Sequence, residues 1–202
     1  MTVRVAIAAS AARRVHVLRQ KPPARRYLVG EAGDETAGTP PALQKAMTFR
    51  LTSPSFAHEH DIPARYTSDG EDVSPALMWT DPPKGTKSFA LVVDDPDAPD
   101  PAHPKRTWVH WVVYKLPVDA RSLPEGATNG AALGKNDWQV VGWRGPSPPI
   151  GRHRYFFKLY ALDTLLGDLP AGASKAELES AMTEHLLGTA TLVGKYQKQQ
   201  GS

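Results

Sequence analysis

Short apolar runs, separated by clusters of Pro, Gly and Asp, dominate the chain from residue 47 onward. Three runs rich in Val, Tyr, Phe and Trp lie at residues 89–93, 108–116 and 155–162. The clusters that separate such runs lie at residues 81–85, 95–104 and 142–151. Apolar runs of this length between turn-forming residues are typical of β-strands. The 19 prolines favour the same interpretation, because proline breaks helix interiors. We therefore predict a mainly β fold.

One segment near the C-terminus has the periodicity of an amphipathic helix. Ser174 and Glu177 are spaced as a capping box at its start, and Gly188 is placed to end it. The apolar stripe between them consists of Leu178, Ala181, Met182, His185 and Leu186. We predict a helix packed on a sheet, with His185 as a structural residue, and then a closing strand at residues 189–197. Strands and helices do not alternate regularly, which argues against a doubly wound nucleotide-binding fold.

Composition narrows the class of protein without identifying it. The 202 residues include no cysteine, which excludes disulfides, thiolate metal sites and a thiol nucleophile. No apolar run approaches the ~20 residues of a membrane-spanning helix. With 41% hydrophobic and 22% charged residues, the composition is that of an ordinary globular protein.

The basic residues are concentrated at the N-terminus. Residues 1–30 carry seven Arg or Lys and no acid, although the net charge of the whole chain is only +3. The remainder is therefore not predicted to bind nucleic acid. We interpret residues 1–46 as a disordered or non-native extension; a targeting segment and a functional basic arm are the alternatives. We predict one folded domain over residues 47–202 and a cytoplasmic location, or an organelle if the extension is a transit peptide.

Four carboxylates directly follow the first of the three apolar runs. They belong to the segment DDPDAPD and are Asp94, Asp95, Asp97 and Asp100. Asp and Pro are frequent in turns, so a solvated connection is the simplest interpretation. A calcium loop is disfavoured, because the segment has no glycine for the sharp turn that such loops need. A hydrolytic carboxylate pair stays open, although Asp95 and Asp97 share one short loop and need not flank a substrate.

Two histidines lie within or beside the other apolar runs. His110 lies inside TWVHWVVYKL, where strand alternation places it on one side with Trp108 and Val112. His153 opens HRYFFKLYAL, with Tyr155 on the same side of the pleat. Taken alone, a histidine in such a strand is most often a packed structural residue. If the adjoining loops meet at one end of the sheet, the histidines, Tyr155 and the aspartates of the acidic segment converge.

Three motifs in this order, DDPDAP, WVHW and GWRGPSPPIGRHRY, resemble the phosphatidylethanolamine-binding protein family, and its bacterial Raf kinase inhibitor-like branch in particular. The resemblance extends over residues 47–197. It implies a large central, mainly antiparallel sheet packed on a smaller sheet, with a peripheral helix in the C-terminal region. It also implies a non-enzymatic binding protein without a cofactor, whose small pocket takes phosphate-like anions or phospholipid head groups.

Carried over by motif, the implied pocket takes residues from several loops. The ligand-binding residues are Asp95, Asp97, Trp108, His110, Gly145, Pro146, His153 and Tyr155. Ser68 and Ser147 stand where many bacterial relatives carry cysteine, so a disulfide between these loops is excluded here. We predict Trp79 and Trp138 to be packing residues or loop anchors, and Arg154 to be a paired structural arginine.

The carboxylates need a physical account, because they oppose an anion unless they are paired. We predict that Asp95 accepts a hydrogen bond from His110 or His153, which favours an imidazolium whose other N–H binds the anion. The Tyr155 hydroxyl and backbone N–H groups of residues 145–149 would add neutral donors. Anion affinity would then rise as the pH falls through the histidine range.

Other functions stay open from the sequence. The resemblance also implies regulation of a protein kinase or another enzyme, without a named partner. A metal- or His/Asp-dependent hydrolase is one alternative, although no motif marks a nucleophile or a compact metal site. A protease inhibitor is another, with residues 1–46 as the candidate arm. The sequence does not fix the oligomeric state, and a dimer is compatible with it.

Overall fold

A computed structural model describes residues 48–126 and 130–198. The strands in these ranges are β1 (Arg50–Thr52), β2 (His60–Asp61), β3 (Leu77–Thr80), β4 (Ser88–Asp95), β5 (Trp108–Pro117), β6 (Ser122–Leu123), β7 (Ala132–Leu133), β8 (Arg152–Leu162) and β9 (Leu186–Gln197). A 3-10 helix spans Ala64–Tyr66, and helix α1 spans Lys175–Met182. The prediction of a mainly β fold is confirmed. The predicted extension at residues 1–46 lies outside the described residues.

The strands form two sheets. The large sheet has the order β2-β9-β8-β4-β5-β7, and the small sheet has the order β1-β3-β6. All neighbouring strands of the large sheet are antiparallel except β2 and β9, which are parallel. A large, mainly antiparallel sheet beside a smaller one is the predicted architecture.

Strand β4 is buried along its whole length, which explains the unbroken apolar run at residues 89–93. Phe89, Leu91 and Val93 pack into the core between the two sheets. Ala90 and Val92 point to the opposite face and pack in a second cluster with the helix α1. Alternate side chains of one strand therefore serve two separate cores.

Helix α1 begins as predicted and ends earlier. The Ser174 hydroxyl accepts from the Glu177 N–H, and the Glu177 carboxylate accepts from the Ser174 N–H, which completes the capping box. The helix ends at Met182, so the predictions that Gly188 ends it and that Leu186 belongs to its apolar stripe are wrong. Pairing with the end of β8 is the reason, because Leu186 and Gly188 already lie in β9 opposite that strand.

A β-bulge in β5 changes the predicted alternation around His110. Val93 of β4 lies opposite Trp111, and Asp94 lies opposite Val109, so the pairing passes over His110. Val109 and Val112 both pack in the cluster beneath α1, whereas strict alternation placed Val112 on the side of His110. The bulge separates His110 from the regular pattern of its strand.

Candidate functional site

A cavity of about 190 Å³ lies at one end of the large sheet. It is bounded by the β4–β5 loop, the β7–β8 connection and the adjoining strand ends. Its lining residues are Asp95, Ala98, Pro99, Trp108, His110, Trp138, Ser147, Pro148, Pro149, His153 and Tyr155. Five of the predicted ligand-binding residues thus meet there, namely Asp95, Trp108, His110, His153 and Tyr155. The other three, Asp97, Gly145 and Pro146, do not line it.

A larger cleft of about 650 Å³ lies between the start of α1 and the loop that follows β7. Lys135, Lys175, Asp137 and Glu177 are among its lining residues, so charges of both signs face it. None of the predicted ligand-binding residues lines this cleft. We therefore place the candidate site in the smaller cavity.

Asp97 fixes the acidic loop instead of facing the cavity. Its carboxylate accepts from the Arg154 backbone N–H at 2.9 Å and from the guanidinium at 2.9 and 2.6 Å. The hydrogen bond from the Arg154 side chain holds the pKa of Asp97 below its usual value. Arg154 is therefore the paired arginine that the sequence predicts.

Gly145 and Pro146 join two loops behind the cavity. The Gly145 N–H donates to Asp72 Oδ1 at 2.6 Å, so the prediction that this N–H serves an anion is wrong. A Cβ at residue 145 would lie 2.6 Å from that carboxylate oxygen and would also contact the Tyr66 carbonyl, so the position requires glycine. The Pro146 carbonyl accepts from the Ser68 N–H at 3.0 Å. Hydrogen bonds thus connect these loops in a chain that has no cysteine.

Asp95 and His153 form a buried pair at the edge of the cavity. His153 Nδ1 lies 2.7 Å from Asp95 Oδ2, and His153 Nε2 lies 2.9 Å from the Ile150 carbonyl oxygen. Burial raises the pKa of Asp95, and the hydrogen bond with His153 opposes this effect. The predicted pairing of Asp95 with one of the histidines is present. The prediction that the second N–H of this imidazole reaches an anion is wrong, because it donates to Ile150.

His110 is held as a neutral imidazole. Its Nδ1 donates to the Arg144 carbonyl at 2.6 Å. Burial lowers the pKa of His110 to about 4. Its ring makes edge-to-face contacts with Trp138 and Tyr155, with centroids 5.0 and 5.1 Å apart. With the Nδ1 proton committed to the backbone, Nε2 carries the lone pair and acts as an acceptor.

Two tryptophans wall the cavity, and an arginine lies beside each. Trp108 and Trp138 meet edge to face at 5.1 Å. The Arg106 guanidinium lies 4.1 Å above Trp108, and that of Arg144 lies 5.9 Å from Trp138. These arginines place positive charge next to the aromatic walls. Trp138 is thus a wall of the cavity and not only a loop anchor.

The position of Trp138 depends on a buried asparagine, which is why no sequence motif identified it. Asn136 Oδ1 accepts from the N–H groups of Trp138 and Val140 at 3.0 and 3.2 Å, and Asn136 Nδ2 donates to the Gly142 carbonyl. Trp143, in contrast, packs on Trp111 and braces the loop from behind.

Tyr155 supplies a neutral hydroxyl to the cavity. Its side chain is almost fully buried, and burial raises the pKa of Tyr155 far above its usual value. Within residues 48–126 and 130–198 no group forms a hydrogen bond with this hydroxyl. It is therefore available as a donor to a bound molecule.

Two further findings concern the part of the chain that the structure describes. No group of three or more His, Cys, Asp or Glu side chains there is arranged to hold a metal ion. No helix there has the length and apolar character needed to cross a membrane.

Known proteins are similar to this chain in sequence and in fold. Residues 52–197 match the family described as phosphatidylethanolamine-binding protein. The chain belongs to the phosphatidylethanolamine-binding protein family. The resemblance inferred from the three motifs is thereby confirmed.

Bacterial and archaeal proteins are among the relatives of this chain within the phosphatidylethanolamine-binding protein family. A UPF0098 protein of Methanothermobacter thermautotrophicus is 46% identical over 156 residues, which cover 74% of this chain and 99% of the relative. The family homologue CT736 from Chlamydia trachomatis is 40% identical in sequence, and its crystal structure matches with a TM-score of 0.70. The match covers 75% of this chain and 98% of CT736. Escherichia coli YbcL, described as a member of the mammalian family, is 30% identical with a TM-score of 0.68, and covers 75% and 99%.

Proposed function

We propose that this member of the family is a binding protein whose 190 Å³ cavity takes a phosphate-like anion or the phosphate of a lipid head group. One observation carries the proposal: two neutral polar groups line a cavity whose other lining residues are mostly aromatic or proline, with Ser147 and the Asp95–His153 pair beside them. These groups are the Tyr155 hydroxyl and Nε2 of His110. An apolar cavity with a few convergent polar groups is the usual form of a small-molecule site.

The ionisation of the cavity determines which form of phosphate it favours. The Tyr155 hydroxyl donates to a phosphate oxygen. Nε2 of neutral His110 accepts from a protonated phosphate oxygen, and this nitrogen donates only once the ring is protonated, with a pKa of about 4. Arg106 and Arg144 attract the anion from beside the tryptophan walls. We expect the affinity for phosphate to rise as the pH falls, first through protonation of the ligand and then through protonation of His110.

The surroundings of the histidines support binding rather than catalysis. Both ring nitrogens of His153 are engaged within the protein. The Nδ1 of His110 donates to a backbone carbonyl and not to a carboxylate that would strengthen it as a base. A role in regulating a kinase or another enzyme would follow if ligand binding altered a surface that such a partner contacts.

The experiment is an NMR titration with inorganic phosphate and, in a parallel arm, glycerophosphoethanolamine. The first ligand tests the shared phosphate chemistry, and the second tests a head-group source. Tyr155→Phe should weaken binding of both by roughly 10- to 100-fold, because a hydrogen bond to a charged group is lost. Tyr160→Phe removes a hydroxyl from the same strand outside the cavity and should leave affinity unchanged. Equal effects of the two variants, or no binding of either ligand, would overturn the proposal.

A further inference from the structure

Two loops that border the cavity are both anchored to the Asp95–His153 pair. Asp95 Oδ1 accepts from the Asp97 N–H at 2.8 Å and thereby holds the loop that carries Ala98 and Pro99. His153 Nε2 holds the Ile150 carbonyl at 2.9 Å, at the end of the segment that carries Pro148 and Pro149. The 2.7 Å contact between Asp95 and His153 joins the two anchors.

This set of hydrogen bonds requires a definite number of protons. The Ile150 carbonyl can only accept, so His153 Nε2 must carry a proton. The contact between Asp95 and Nδ1 needs a second proton, on the ring or on the carboxyl group. An imidazolium with a carboxylate and a neutral imidazole with a carboxylic acid therefore hold equal numbers of protons, and in both forms the pair is neutral overall.

Loss of one proton breaks the set. Either a lone pair on Nε2 then faces the Ile150 carbonyl oxygen at 2.9 Å, or a lone pair on Nδ1 faces the carboxylate at 2.7 Å. Asp95 and His153 are 3% and 0% exposed, so solvent has little access to the two side chains that lose the hydrogen bond. A buried acceptor that faces another acceptor without a proton is strongly unfavourable.

We propose that Asp95 and His153 form a proton-dependent clamp that holds both loops in the ligand-binding geometry only while the pair is neutral. His153 is then a positioning residue rather than a ligand contact. The consequence for affinity rests on the proposed function, whereas the clamp itself does not. As the pH rises and the pair loses its proton, the loop at Ile150 is released, the pair becomes negative, and affinity for an anion falls.

The ionisable neighbours of the pair are shifted out of the intermediate pH range. They are Asp97 of the β4–β5 loop, His110 of β5, Arg154 and Tyr155 of β8, and Tyr196 of β9. The ion pair lowers the pKa of Asp97 and raises that of Arg154, while burial raises the pKa values of both tyrosines. Burial lowers the pKa of His110 to about 4. The pH response of the clamp therefore rests on the proton that Asp95 and His153 share, and not on these neighbours.

The substitution Asp95→Asn tests the clamp, because it keeps the hydrogen bonds without the extra proton. The amide N–H can donate to Nδ1 of a neutral His153, whose Nε2–H still donates to Ile150. The amide oxygen still accepts from the Asp97 N–H. While its hydrogen bonds are in place, the pair formed by residue 95 and His153 has the same net charge in wild type and in the variant. A difference in pH dependence between the two proteins therefore reports only the extra proton that wild type needs.

The measurements are phosphate affinity and imidazole NMR from about pH 5 to about pH 9 in both proteins. Above its transition, wild type should lose affinity relative to the variant by about tenfold per pH unit. At low pH in wild type, His153 Nε2 should carry one proton and a second should lie between Nδ1 and Asp95, whereas in the variant only Nε2 should carry one. Amide exchange at residues 150–151 should accelerate above the transition in wild type relative to the variant.

Each outcome bears on one claim. If phosphate binds neither protein, the proposed function is wrong, while the ring nitrogens and amide exchange still test the clamp. Equal pH profiles of affinity and exchange in the two proteins would overturn the clamp. So would a His153 Nε2 without a proton in wild type at low pH, a result that needs no variant.

Discussion

Asp94 and Asp95 are consecutive residues of β4, yet their side chains lie on opposite faces of the large sheet and have different partners. Both are buried, with 0% and 3% exposure. On the helix face, Asp94 lies 2.8 Å from Lys158 Nζ and 2.7 Å from Lys175 Nζ. On the cavity face, Asp95 lies 2.7 Å from His153. These two buried carboxylates therefore have different partners for their charge: two lysines for Asp94 and a histidine for Asp95.

The partners decide whether the compensation depends on pH. Although burial acts to lower it, the hydrogen bond to Asp94 leaves the pKa of Lys175 above its usual value. Lys175 is therefore held in its charged form, and its contact with Asp94 fastens α1 to the sheet. On the cavity face the compensation depends on a proton that the hydrogen bonds of Asp95 and His153 require, so it is conditional. The contacts of Asp94 with its two lysines stabilise the fold, and the contact of Asp95 with His153 borders the site.

The largest expected effect is a difference in stability between two variants in which Asp94 or Asp95 is replaced by asparagine. Asp94→Asn leaves two part-buried ammonium groups without their anion, and we expect it to lower the free energy of unfolding by about 3–5 kcal/mol. Asp95→Asn preserves the hydrogen bonds of its site, and we expect a change of less than about 1 kcal/mol. Urea unfolding at neutral pH measures both. Equal losses in the two variants would contradict the distinction between fixed and conditional compensation.

A second effect tests the cavity face through His110, whose burial favours the neutral ring. The unfolded chain takes up this proton near pH 6.5, whereas the folded protein does so at about 4. The lowered pKa therefore has no effect on stability above about pH 6.5, and it reduces the free energy of unfolding as the pH falls toward 4, by roughly 3 kcal/mol. His110→Gln should remove this part of the acid sensitivity. Urea unfolding of both proteins at the two pH values measures it.

The control for that experiment is His185→Gln. His185 lies at the other end of the sheet, where its half-exposed ring contacts Asp163. The acid sensitivity of this variant should exceed that of His110→Gln and stay near that of wild type. If His110→Gln loses as much stability in acid as wild type does, the buried ring does not carry the effect.

Local patterns predicted the elements and part of the site, for reasons that particular residues show. The apolar runs predicted β4, β5 and β8, because a buried strand requires apolar side chains at neighbouring positions of the sequence. The capping box at Ser174 and Glu177 is a contact across three residues, so it was also visible. The order of the three motifs placed His110, His153 and Tyr155 near one another.

Contacts between distant residues were not visible in the sequence. The Gly145 N–H is occupied by Asp72, which lies 73 residues away. The second nitrogen of His153 is committed to a loop carbonyl, and the lysine partners of Asp94 come from β8 and α1. Trp138 reaches the cavity through the hydrogen bonds of Asn136, and no residue pattern signals that loop geometry. Which partner takes each hydrogen bond is a tertiary property, and it decided the chemistry of the site.

The first turn of α1 is connected to Asp94 through Lys175. Ser174 caps the helix, and the next residue, Lys175, is the one that reaches Asp94. Fraying of the first helical turn should therefore loosen one of the two lysine contacts. The cavity is bounded by other loops, so the same fraying should leave it unchanged.

The smallest expected effect tests whether the two faces are independent. Ser174→Ala removes the cap and should cost about 1 kcal/mol of unfolding free energy. Ser180→Ala, at an exposed position of the same helix, is the matched control and should be neutral or slightly stabilising. In an Asp94→Asn background the cost of Ser174→Ala should shrink, because the Lys175 contact that it loosens is already lost. Phosphate affinity and its pH profile should not change in Ser174→Ala. A shift in either would show that the helix face and the cavity face are coupled. The stabilising role of Asp94 and the role of Asp95 in ligand binding would then not be independent.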